Sequence, residues 1–150
     1  MKIYLDNCCY CRPSDNAAHL AQENVRQEIT AILDTVKACQ RVGIPIIGSP
    51  AVVDEIGKIS NAHKYERVWG FYNSAMSEYI EWTKDISNRA NGLITQGLKK
   101  TDAHHTAFAE VAGADYLLTT DIRFERTASR LKLAVIVMNP IIFINGGYAL

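Results

Sequence analysis

The stretch Thr101-Asp102-Ala103-His104-His105-Thr106-Ala107-Phe108-Ala109-Glu110-Val111-Ala112-Gly113-Ala114-Asp115-Tyr116-Leu117-Leu118-Thr119-Thr120-Asp121 reads as one helix, one stop and one strand. Thr101 offers an N-cap oxygen to a helix over 102–112, and Gly113 ends it. Tyr116-Leu117-Leu118-Thr119 is too short and too apolar for anything but a buried strand, and it delivers Thr120-Asp121 into a turn. A helix feeding a buried strand is half of a βαβ unit, so the question is whether the pattern repeats.

It does. Residues 2–6 read as a short buried strand ending in Asp6, followed by a polar turn from Asn7 to Asn16. From Ala17, the positions Leu20, Val25, Ile29, Ile32, Leu33 and Val36 recur at helical spacing up to Gly43, with Ser14 or Asp15 as the expected cap. Ile44-Pro45-Ile46-Ile47 is a second strand, and Ser49-Pro50 pairs a cap with a proline suited to the first helical position. Residues 61–76 are helical and rich in aromatics, with Gly70 as a point of weakness; 79–83 reads as a third strand and 85–98 as a helix. A short helix over 122–130 leads to a strand at 134–137, and 139–144 reads as an extended closing segment. Short apolar strands alternating with longer helices predict an α/β fold of three layers, α/β/α, around a central parallel sheet of four to five strands. No linker or internal repeat divides residues 1–150, which are expected to form a single domain.

Composition narrows the function classes without choosing one. Sixteen basic residues balance sixteen acidic ones, so bulk charge does not point to nucleic acid. No apolar run reaches the roughly 18 residues of a membrane span, and the chain opens directly into a strand without a leader's apolar stretch. A cytoplasmic protein with no membrane partner is expected. Cys8, Cys9, Cys11 and Cys39 lack the second ligand pair that a structural zinc site needs, and read as reduced, half-buried thiols.

Ligands of open parallel sheets bind beyond the carboxyl ends of the strands. Asp6 ends the first strand, Asp121 follows the fourth, Glu55 lies in the helix after the second, and Asp102 opens a helix. Taken singly, each acid has a plain role as a cap or a solvated helix residue. Together at one edge they would repel, a cost that bound cations offset. An all-oxygen donor set suits Mg²⁺ or Mn²⁺. Two such ions about 4 Å apart activate water and stabilise both oxygens of an in-line displacement, which is phosphodiester hydrolysis.

These residues also resemble a known pattern. Ile3-Tyr4-Leu5-Asp6-Asn7, Ser49-Pro50-Ala51-Val52-Val53-Asp54-Glu55-Ile56, Gly97 to Ala107, Ala114-Asp115, Thr119-Thr120-Asp121 with Phe124, and Asn139-Pro140-x-x-Phe143 are similar, in order and spacing, to the blocks of the PIN-domain family. That family includes the toxin ribonucleases of bacterial toxin–antitoxin pairs. The resemblance implies a metal-dependent ribonuclease cutting single-stranded RNA, with Asp6, Glu55, Asp102 and Asp121 as its acids and Mg²⁺ or Mn²⁺ as cofactor. It also implies frequent homodimerisation and, for a toxin, an antitoxin protein as partner. Asn7 and Thr120 are expected to orient the acids, and Glu125 stands where some members carry a further acid. His104 and His105 are expected to pack or face solvent, since metal-generated nucleophiles need no histidine base. Arg12, Lys99, Lys100, Arg123 and Arg126 are candidate phosphate contacts, and the aromatics of 65–72 are expected in packing.

Three other readings compete. A haloacid-dehalogenase-type phosphatase needs a second aspartate two residues after Asp6, where Cys8 stands. A receiver domain needs an acidic pair after the first strand. A catalytically silent PIN-like module that binds RNA or protein is the remaining alternative; the filled acid set favours catalysis.

Overall fold

The computed structural model describes residues 1–148; Ala149 and Leu150, which the expected domain includes, lie outside the described residues. Five strands, β1 (Ile3–Leu5), β2 (Ile46–Gly48), β3 (Glu78–Tyr79), β4 (Tyr116–Leu118) and β5 (Ile136–Met138), form one sheet in the order β3-β2-β1-β4-β5. Every pairing is parallel. Central β1 is buried at all three positions. Successive side chains of a strand point to opposite faces, so a wholly buried strand requires helices on both faces. This gives the expected three layers.

Those layers are α1 (Asn7–Cys11), α2 (Ala17–Leu20), α3 (Glu23–Val42), α4 (Pro50–Gly57), α5 (Ala62–Ala75), α6 (Lys84–Thr95), α7 (Lys100–Val111), α8 (Ile122–Ala128) and α9 (Pro140–Asn145). α6 packs on α7, and α3 on α9. The αL conformation that Gly43 adopts at φ 76° terminates α3, as a residue without Cβ does at little cost. Gly48 serves space instead: a Cβ there would strike the side chains of Tyr72 and Met76. Its absence lets α5 lie close to β2.

Local signals misplaced several elements. The expected polar turn after Asp6 contains α1 and a 3₁₀ turn at Arg12–Ser14, because Cys9 and Tyr10 are pulled into the core. The long helix expected from Ala17 is broken into α2 and α3, and Asn16, rather than Ser14 or Asp15, caps the first piece through His19 N–H. Gly70 leaves α5 unbroken. The third strand shrinks from 79–83 to two residues at the sheet edge, and β5 is displaced to Ile136–Met138. The closing segment is helical: Asn139 Oδ1 accepts from Ile141 N–H at 2.8 Å, with Pro140 at the first helical position. That is the cap-plus-proline signal of Ser49-Pro50 again, here hidden by an apolar run that reads as a strand.

Candidate metal centre

The strand order reverses between β1 and β4, which are neighbours in space though distant in sequence. A crevice opens at such a switch point, past the carboxyl ends of the strands. Here it is a cleft of about 340 Å³ lined by Asp6, Asn7, Cys8, Cys11, Glu55, Lys99, Thr101, Asp102 and Asp121. All four predicted acids reach it, each from a different element.

Asp6 leaves β1 and is buried; its Oδ2 accepts from Thr119 Oγ at 2.8 Å and lies 3.4 Å from the Cys8 thiol. Asp121 is the N-cap of α8, where Oδ1 accepts from the Arg123 and Phe124 N–H groups at 2.9 and 3.2 Å. The capping role and the site role coexist, since the cap engages Oδ1 and holds the carboxylate in place. Asp102 is the third residue of α7, which starts at Lys100 with no side-chain cap, so Thr101 does not have its expected capping role. Burial, then the nearby charges of Asp6 and Asp121, push the Asp102 carboxyl up to about 6 from its ordinary 3.8, against the opposing pull of His105 and Lys99. Mutual repulsion of this kind is what a divalent cation relieves, and a donor set of carboxylates fits a hard ion.

A residue not expected from the sequence holds two of the acids. Thr119 places Asp6, and its Oγ also accepts from Asp121 N–H at 3.1 Å, so one buried hydroxyl ties β1 to the turn after β4. Thr120 donates its backbone N–H to the Cys8 sulfur, and Asn7 Oδ1 accepts from the Cys11 thiol. Glu125, half-buried on α8, does not line the cleft. Arg12 is committed elsewhere, paired with Asp15 at 2.9 Å and Glu28 at 3.4 Å.

His105 adds most to the sequence reading. It is 1% exposed on α7, its Nδ1 is 2.7 Å from the Tyr4 hydroxyl, and that hydroxyl is 2.6 Å from Ser49 Oγ. Its Nε2 is hydrogen-bonded to Glu55 Oε1 and lies 3.3 Å from Asp6 Oδ1. Burial would lower the imidazole pKa, but Asp6 and Glu55 outweigh it and leave it raised. The signal was present: residues three apart on a helix share a face, and His105 is three residues after Asp102. His104 packs edge-on against Trp82, at a ring distance of 5.1 Å, as expected of a packing residue. The aromatics of α5 also pack, with Trp69 stacked on Tyr72 and Tyr10 edge-on to both Phe71 and Tyr72.

No family model and no curated protein matches the sequence. Among solved structures, a chain of VapBC2 from Rickettsia felis, crystallised bound to a DNA fragment from its promoter, superposes with a TM-score of 0.63 at 15% identity. The match covers 93% of this chain and 98% of that one. The fold is PIN-like. At this identity the likeness speaks for architecture, and it extends over nearly the whole chain. No helix among the described residues is long and apolar enough to cross a membrane.

Proposed function

We propose that this chain is a divalent-metal-dependent endoribonuclease acting on single-stranded RNA. The observation that carries the reading is the convergence of Asp6, Glu55, Asp102 and Asp121 on one cleft at the switch point of the sheet. Mg²⁺ or Mn²⁺, held by these carboxylates, would supply an activated water and neutralise charge on the phosphate. The protein's own part is positional. Thr119 and the α8 N-terminus hold Asp6 and Asp121 in place, and Thr119 spans the two elements that deliver them.

A second cleft, about 320 Å³, shares Lys99 and Asp102 with the first and adds Arg123, Arg126 and Arg130. None of these three arginines has a carboxylate within ion-pair distance among the described residues. Free cations leading to an acidic centre suit a phosphate backbone. They also resolve the difficulty posed by the neutral net charge: the sign is segregated locally. Replacing Arg126 and Arg130 together by alanine is expected to raise KM about tenfold with little change in kcat. It should also flatten the fall of kcat/KM with added salt. An unchanged salt slope would remove this groove from the substrate path.

The likeness to VapBC2 supports reading the chain as the toxin of a toxin–antitoxin pair. A protein antitoxin, a homodimer and a cytoplasmic location belong to that same reading. The primary test is cleavage of a pool of single-stranded RNAs with Mn²⁺, with Mg²⁺ and with EDTA, alongside Asp102→Asn. Metal-dependent cleavage lost in the variant is expected. Equal cleavage by both proteins would indicate a contaminant, and no cleavage by either would favour a silent RNA- or protein-binding module.

A further inference from the structure

One group of donors differs in kind from the rest: Asp6 and Glu55 line the cleft, and His105 lies buried behind them. A ligand atom from each of Asp6, Glu55 and His105 lies within 4.8 Å of the other two. Two of these atoms are oxygens and one is an imidazole nitrogen. His105 is buried, so Nε2 is not a surface group that happens to pass by. We infer that His105 Nε2 is a direct ligand beside Asp6 and Glu55, making one ion position a mixed nitrogen–oxygen site that favours first-row ions such as Mn²⁺ over Mg²⁺.

The surroundings of the ring support this. A ligating imidazole needs a bare Nε2, so Nδ1 must carry the proton and find an acceptor. The Tyr4 hydroxyl, 2.7 Å away, can accept that proton's hydrogen bond and donate its own to Ser49 Oγ at 2.6 Å. Ser49 Oγ has a second lone pair for Val52 N–H, which it caps. The imidazole and the Tyr4 hydroxyl are then both satisfied, and Tyr4, with Ser49 behind it, holds the ring plane. In the opposite tautomer Tyr4 donates to Nδ1 and Nε2–H donates to Glu55, which satisfies the ring without an ion. The hydroxyl pair thus accommodates both the loaded and the metal-free centre. Imidazole nitrogen suits transition ions, whereas Mg²⁺ keeps to oxygen and water. Asp102 and Asp121, with Asp6 shared, remain as the oxygen-only side of the cleft.

The inference rests on the nuclease reading for the presence of an ion, and its test separates the two. Mn²⁺ is added to metal-free protein, binding is followed by calorimetry, and electron spin-echo modulation of the bound Mn²⁺ reports any directly coordinated nitrogen. The wild-type complex should show ¹⁴N modulation that changes to the ¹⁵N pattern when histidine is ¹⁵N-labelled. It should persist in His104→Gln and vanish in His105→Gln. His105→Gln should also weaken Mn²⁺ binding about tenfold while leaving Mg²⁺ binding nearly unchanged, narrowing the preference between the ions. The labelled wild type decides the matter even if His105→Gln does not fold. Stoichiometric Mn²⁺ binding without nitrogen modulation would overturn the inference and leave an all-carboxylate nuclease standing. No Mn²⁺ binding at all would overturn both.

Discussion

Asp102→Asn is expected to raise the melting temperature of the metal-free protein while removing its metal-dependent cleavage. Burial of the carboxyl, and then the charges of Asp6 and Asp121, push it up to about 6. A folded-state value above the unfolded one means that the folded protein binds the proton more tightly. The stability associated with this group is therefore fully present below about pH 4 and lost as pH rises through about 6. Asparagine keeps the shape without the charge and avoids that loss. The two proteins should melt together at pH 4 in EDTA, and the variant should melt about 2–4 °C higher at pH 7.5, the shift that roughly 1 kcal/mol produces in a domain of this size. Cleavage in Mn²⁺ should fall by two to three orders of magnitude, on the order of the loss when one preorganised charge-stabilising group is removed. Scanning calorimetry at both pH values checks the first half and RNA cleavage the second. A variant less stable than wild type at pH 7.5 would mean that Asp102 is held by favourable contacts and not strained by its neighbours.

Phe108→Ala should produce the largest loss of stability. The ring is fully buried on α7, with Trp82 edge-on at a centroid distance of 4.5 Å. Removing it forfeits the transfer energy of the ring and leaves a cavity, together about 3–5 kcal/mol. In a chain of this length that lowers the melting temperature by roughly 10 °C. Because α7 also carries Asp102 and His105, the loss should spread to the site: cleavage near the melting range should fail before it does in wild type. Denaturant unfolding with an unchanged slope and a lowered midpoint would attribute the loss to stability alone. A midpoint within error of wild type would show that the α6–α7 layer repacks around the gap.

The two predictions concern neighbouring residues of one helix, and they show what can be read at each level. Asp102 was legible because an acid at a helix start, in a chain with acids after two strands, has a chemical reason to be there. Asp6 and Asp121 were legible for the same reason. The topology of a parallel sheet then needed only the alternation of short strands and long helices, since parallel neighbours must be joined by crossovers.

What escaped was whatever depended on distant contacts. Thr119 and Thr120 are adjacent and identical in type, and only the register of β4 against β1 decides which hydroxyl meets Asp6. Residues 139–144 carry the same local signal as Ser49-Pro50, yet their apolar run reads equally as a strand; packing of α9 on α3 decides for helix. His105 follows the same logic. Its neighbour His104 has the same side chain and turns outward to Trp82, while His105 turns inward to Tyr4, Glu55 and Asp6. A one-residue step rotates a helical side chain by about 100°, and which of the two faces the centre depends on how α7 is rolled against the sheet. The sequence by itself determined the layered α/β architecture and offered the four acids that the fold brings to one cleft, because strand ends and helix starts, where Asp6, Asp102 and Asp121 lie, are local events. The imidazole beside those acids and the hydroxyl that holds Asp6 came only from tertiary structure, because each depends on the distance between residues far apart in the chain; of the arginines, Arg123 and Arg126 were already candidates in the sequence and the fold added Arg130.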